Sequence, residues 1–160
     1  MRTIEQYLPD HAFFAGLDAP TLELVAGCAT NVSLAAGEYL CREGDPADTF
    51  FVVRRGRVSI EVHGPADGTV VIDTADEGDV VGWSWLVPPY RSSFDARAAE
   101  ATGVLAFDGA CLRGKCEADS RLGYQLMQRV TQVMNDRLVA AQVRLLDLYG
   151  ARGANDAAAR

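Results

Sequence analysis

The sequence has no stretch approaching the roughly 20 apolar residues that a bilayer-spanning helix needs, and Met1 to Asp10 lack the apolar segment of a signal peptide. The cytoplasm is the expected location, without a membrane partner. No Lys/Arg-rich run offsets a formal charge of −7. The field of the molecule should therefore repel phosphate polymers, and no nucleic-acid partner is expected. The four cysteines, Cys28, Cys41, Cys111 and Cys116, contain no C-x-x-C pair, and the two histidines, His11 and His63, lie far apart. Metal-ligand spacing is thus missing. The cysteines are expected to be reduced thiols in or near the core, with Cys111 and Cys116 turned to different faces of a helix at about 100° per residue. There is no Gly-x-Ser-x-Gly elbow, no Cys/His pair and no cluster of His with carboxylates, so catalysis is not expected. The absence of βαβ alternation excludes a parallel nucleotide-binding sheet.

What is present suits one globular domain: 160 residues, 49% apolar and 23% charged. Asp18 is a good N-cap, Pro20 suits a first turn, and Leu22, Val25, Ala26 and Ala29 recur at helical spacing, which predicts a helix over 18–30. From 31 to 108 the pattern changes to short apolar runs, among them Phe50–Val53, Val58–Val62, Val70–Ile72 and Val104–Phe107. Turns at Ala35–Glu38, Glu43–Pro46, Arg55–Gly56, Gly64–Gly68 and Glu77–Asp79 separate them, which indicates a β-sandwich, barrel or roll. After Asp108 a short helix over 110–116 precedes a long one over 120–149. The long helix carries a stripe of Leu122, Leu126, Val130, Met134, Leu138, Ala141, Leu145 and Leu148. This stripe either packs on its own β-domain or forms a dimer seam. A helix of about 30 residues is about 45 Å long and outruns a small roll, which favours a homodimer. Gly150 is expected to stop the helix, leaving 1–149 as the domain and 150–160 as a disordered tail.

One loop carries candidate chemistry. Gly82 follows a strand and allows close backbone approach to a ligand. Trp83, Ser84 and the residues after them can form a single turn whose free N–H groups favour an anion. Arg91 then offers a bidentate fork to phosphate, and Ser92 and Ser93 add hydroxyl donors. Read alone, the same residues also describe a turn with a surface cation. Trp85, Pro88, Pro89 and Tyr90 make an aromatic, proline-rich segment, either rigid structure or a surface for a protein partner.

Three stretches are more specific: Ala36-Gly37-Glu38-Tyr39-Leu40, Arg42-Glu43-Gly44-Asp45-Pro46-Ala47-Asp48, and Phe50-Phe51-Val52-Val53-Arg54-Arg55-Gly56-Arg57-Val58. With them, residues 10 to 149 resemble the cyclic-nucleotide-binding domain of the Crp/Fnr regulator superfamily. The resemblance implies a mainly β fold with flanking helices, a β-roll of the double-stranded β-helix or jelly-roll type with a long C-terminal helix. The superfamily's winged helix-turn-helix has no counterpart before the chain ends, so a stand-alone module without direct DNA control is expected. In that family a phosphate-binding cassette, F-G-E-(L)-A-L followed after a loop by P-R-(S/A)-A, holds the cyclic phosphate and lets its Glu take the ribose hydroxyl. By position Gly82 matches the Gly, Arg91 the Arg and Ser92 the hydroxyl residue. Trp83 stands in place of the Glu, Ser84 and Trp85 replace the next two residues, and Tyr90 replaces the Pro. The phosphate half is retained and the ribose half altered. The lost charge-assisted bond is worth roughly 1.5–3 kcal/mol. The expected ligand is cAMP, cGMP or another phosphate-bearing molecule bound by a regulatory module that acts through its C-terminal helix. The alternative is a ligand-free roll serving as a dimerisation or adaptor subunit.

Overall fold

The structure, a computed structural model, describes residues 2–66 and 68–158, the side chains of 151–158 excepted. The described residues fall into two compact units, divided between Gln125 and Leu126. The first holds two four-stranded antiparallel sheets. One runs in the order β1 (Ala29–Leu34), β8 (Thr102–Asp108), β3 (Thr49–Arg55), β6 (Val80–Val81). The other runs β2 (Tyr39–Cys41), β7 (Asp95–Ala98), β4 (Val58–His63), β5 (Thr69–Ala75). Successive strands change sheet at every connection except β4 to β5, which gives the jelly-roll type of β-roll. All five expected turns join consecutive strands. Gly56, between β3 and β4, has φ +82° and so close a neighbour that a Cβ would sit 2.7 Å from the Ala101 carbonyl oxygen. Only glycine fits both demands.

Period-two alternation explains the interior. Phe51, Val53, Val58, Ile60, Ala75, Val81, Ala96 and Val104 form the core cluster. On the other face of β4, Ser59 and Glu61 are buried as well. Glu61 Oε1 accepts from Ser59 Oγ at 2.7 Å and from Arg97 Nη2 at 2.8 Å. A row of aromatics is built on Phe50 of β3 and Phe107 of β8, whose ring centroids are 4.7 Å apart, with Phe13, Phe14 and Trp85 continuing it.

Short helices bring the N-terminal aromatics in. α1 (Ile4–Tyr7) opens with a capping box between Thr3 and Gln6. Two 3-10 turns, Leu8–Asp10 and Ala12–Phe14, then bury Leu8, Phe13 and Phe14. The helix expected over 18–30 is the shorter α2 (Ala19–Ala26). Asp18 caps it through a 3.0 Å bond from Thr21 N, and Gly27 ends it. Ala29, counted above as helical, instead pairs with Phe107 in the β1–β8 ladder. That ladder also corrects the cysteine reading. Cys28 and Cys111 form a disulfide with Cα atoms 5.9 Å apart, while Cys41 and Cys116 are free. Antiparallel pairing of β1 with β8 places residues 83 apart in sequence beside each other, a proximity that sequence spacing does not reveal.

α3 (Gly109–Ala118) starts on Asp108, whose Oδ1 accepts from Cys111 N at 2.9 Å. α4 runs over Ser120–Ala158. It does not stop at Gly150, so the disordered tail expected over 150–160 is corrected as far as Ala158; residues 159 and 160 lie outside the described residues. A single helical glycine costs only about 1 kcal/mol, and the alanines beyond it have the highest helix propensity. The apolar stripe divides along the helix. Leu122, Leu126 and Val130 are buried, whereas Leu138, Leu145 and Leu148 are 58%, 53% and 66% exposed. The expected seam therefore loses Leu122, Leu126 and Val130.

Candidate ligand-binding site

The loop 82–93 leaves β6 in one sheet and leads to β7 in the other, so it bridges the two sheets. Gly82 has φ +83°, which fixes the direction in which the chain leaves β6 and restricts the position to glycine. The turn anticipated after it is present in tight form: Leu86 N donates to the Trp83 carbonyl and Val87 N to the Ser84 carbonyl, both at 3.2 Å. Pro88–Pro89 is cis, and Tyr90 adopts φ +56°.

The second limb is held by the Arg42–Asp48 turn. Ala47 N donates to the Tyr90 carbonyl at 2.8 Å, Ser92 N to the Asp45 carbonyl at 2.9 Å, and Gly44 N to the Ser92 carbonyl at 2.8 Å. The turn is itself closed by Asp45 Oδ2, which accepts from Arg42 N at 3.2 Å. Arg91 is exposed, and its Nη1 donates to the Gly44 carbonyl at 3.0 Å. It enters no ion pair among the described residues, so its remaining guanidinium donors face solvent unneutralised. Ser92 is half-buried and Ser93 exposed. Thus Gly82, Trp83 and Ser84 lie on one limb of a single loop and Arg91, Ser92 and Ser93 on the other.

The two tryptophans separate. Trp83 is half-buried and meets Phe94 edge-on, with centroids 6.5 Å apart. Trp85 is 1% exposed and stacks on Phe50 at 5.8 Å. The surface imagined from Trp85, Pro88, Pro89 and Tyr90 therefore loses Trp85, which is core; Pro88, Pro89 and Tyr90 are exposed. Arg113 ties this segment to α3, donating to the Trp85 carbonyl at 2.7 Å and stacking over the Tyr90 ring.

Cys41 also borders the site, without a signal in the sequence. Its half-buried thiol lies beside the Ser92 hydroxyl; burial raises its pKa, and a hydrogen bond with Ser92 partly offsets that rise. Fifty-one positions separate the two residues, so no local motif signals the contact. The Arg42–Asp48 turn was legible as a motif but not as the partner of Arg91 and Ser92. Among the described residues no group of His, Cys, Asp and Glu is arranged to hold a metal ion. Nor is any helix there long and apolar enough to cross a membrane.

Residues 31–119 match the family described as the cyclic nucleotide-binding domain. The acetyltransferase Pat of Mycolicibacterium smegmatis is 34% identical over 70 residues, which is 44% of this chain and 21% of that enzyme. The chain thus corresponds to about a fifth of the length of that relative. Among solved structures, a cyclic nucleotide-binding protein from Geobacter metallireducens superposes with a TM-score of 0.77 at 29% identity, covering 86% of this chain and 99% of that one. The regulatory domain of Toxoplasma gondii PKA, co-crystallised with cAMP, superposes with a TM-score of 0.66 at 18% identity, covering 86% of this chain and 49% of that one.

Proposed function

Because this chain belongs to the cyclic nucleotide-binding domain family, we propose that it is a non-enzymatic regulatory module whose 82–93 loop holds the phosphate of a small ligand while gripping a ribose only weakly. The observation that carries this reading is Arg91. Its backbone is clasped to the Arg42–Asp48 turn through Ser92 and Tyr90, yet no carboxylate among the described residues pairs with it. A cation fixed in this way loses little side-chain freedom when it meets an oxyanion. Gly82 and the backbone N–H groups after it supply neutral donors on the facing limb. The Toxoplasma structure holds cAMP in this fold, which makes a cyclic nucleotide the first ligand to test. At the position where the resemblance puts the ribose-binding carboxylate stands the Trp83 indole, which offers a donor but no charged acceptor. Movement of α4 is the proposed output.

Calorimetry with cAMP and cGMP tests this. Wild-type protein should bind no more tightly than high micromolar, about −6 kcal/mol. Arg91→Ala should abolish the heat, and Trp83→Glu should recover roughly 1.5–3 kcal/mol. Submicromolar binding of cAMP by the wild type would overturn the ribose part of the proposal, and undiminished binding by Arg91→Ala the phosphate part.

A second reading, a ligand-free adaptor, draws on the packing of Trp83 against Phe94. An indole that fills the sugar pocket leaves no room for a nucleotide. In that case the wild type gives no heat with any cyclic nucleotide, and Pro88, Pro89 and Tyr90 remain as the partner-facing segment.

A further inference from the structure

A concavity of about 310 Å³ opens on the β1-β8-β3 part of the first sheet, and none of its lining residues belongs to the 82–93 loop or the Arg42–Asp48 turn. Asn31, Ser33, Arg54 and Arg55 supply its polar lining, and Val32, Gly103 and Val104 the rest. The β3–β8 ladder shifts register between Val53 and Arg55. Such an irregularity re-aims side chains, and here both neighbouring arginines border one hollow. Arg55 lies over the bare glycine: a Cβ on Gly103 would stand 2.9 Å from Arg55 Nε and 3.1 Å from its Cγ. Arg54 is held from two sides, by Asn31 Oδ1, which accepts from Nη1 at 2.6 Å, and by the Tyr7 ring, whose centroid lies 4.7 Å from Cζ.

The donor balance defines the ligand. With its oxygen engaged by Arg54, Asn31 has its amide N–H groups left to offer. Ser33 adds a hydroxyl, and two guanidinium groups add charge. No carboxylate lines the hollow, and neither arginine enters an ion pair among the described residues. This is in a chain with 22 Asp and Glu against 15 Lys and Arg, where an exposed arginine has many acidic side chains to pair with. Two adjacent cations left unneutralised in a concave site favour a dianion over a monoanion, and planar forks favour phosphate oxygens. The volume is at the small end of the roughly 300–1,000 Å³ range of ligand sites. We propose that this pocket binds a small phosphomonoester in its dianionic form, independently of whatever occupies the 82–93 loop.

The test is a nuclear magnetic resonance titration of the full chain with phenyl phosphate, with succinate as the dicarboxylate control. The Ser33 and Gly103 amides and the Arg54 and Arg55 Nε–H signals should shift saturably with phenyl phosphate, at a midpoint of about 1 mM or below, and much less with succinate. Arg54→Gln and Arg55→Gln should each weaken binding at least about tenfold. Gly103→Ala keeps both charges but displaces Arg55, and should weaken it as well. Arg91→Ala should leave these shifts in place, so loss of the loop site and loss of this one are read separately. Shifts that never saturate, that persist in both glutamine variants and in Gly103→Ala, or that succinate matches would overturn the proposal. Melting curves recorded alongside identify any variant that is unfolded, and the remaining variants still decide.

Discussion

His11 is 6% exposed between the rings of Tyr7 and Phe14, and its Nδ1 accepts from Phe13 N at 3.2 Å, closing a 3-10 turn. Burial depresses its pKa below the ordinary 6.5, and smaller opposing effects come from the Gly78 backbone and the Asp79 carboxylate. The unfolded chain therefore takes up a proton near pH 6.5 that the folded chain refuses until lower pH. The contribution of His11 is fully present above that value and is lost as the pH falls towards the depressed folded pKa. Urea midpoints should drop between pH 7 and pH 5, and His11→Asn, which keeps a side-chain acceptor for Phe13 N but does not titrate, should flatten the drop. Parallel profiles for the two proteins would remove His11 from the explanation. The tryptophans show where residue-level reading of the sequence ends. Trp83 and Trp85 lie two apart in an irregular turn, and neither the helical nor the strand period says which points inward. The answer is tertiary: Trp85 fills the space beside Phe50 that the small Gly109 leaves open, a Cβ there being 3.0 Å from Trp85 Cβ.

Among the elements, β3, β4, β5 and β8 were legible because each has six or seven residues bounded by turn residues. β2 and β6, of three and two residues, are too short to display a period, and so is α1 with four. The candidate loop was legible on its glycine, arginine and serines, but its clasp to the Arg42–Asp48 turn depends on pairings across the roll. The disulfide was hidden for the same reason. It joins the start of β1 to the first turn of α3 over a separation of 83 residues. Closing a loop of that size removes about 4.5 kcal/mol of unfolded-state entropy in the chain-entropy account. Reduction, or Cys28→Ser, should lower the Tm by roughly 10 °C. An unchanged Tm together with two extra titratable thiols in the untreated protein would show that the bridge does not form in solution.

At the scale of the whole molecule, the stripe on α4 keeps an exposed stretch in which Leu138, Leu145 and Leu148 are each more than half exposed, with Met134 at 38%. Large apolar side chains at this spacing suit an association surface, and we propose a second copy of the chain as its occupant. Replacing Leu138 and Leu145 by Glu should convert a dimer into a monomer in sedimentation, and an already monomeric wild type would dismiss the seam. The charge of −7 adds mutual repulsion between copies, so the dimer should tighten with salt.

The Cys28–Cys111 bond has one more consequence. It makes residues 28 to 111 a covalent ring that contains every strand from β1 to β8, with α1 and α2 outside at one end and α4 outside at the other. A single backbone cut in any loop of the ring opens it without releasing a fragment, and a nicked roll still travels as one molecule until a reductant is added. A cut before Cys28 or after Cys111 sheds a terminal piece at once. Covalently, the β-roll is a circle with two tails, and its loops are the places where new chain ends are least consequential.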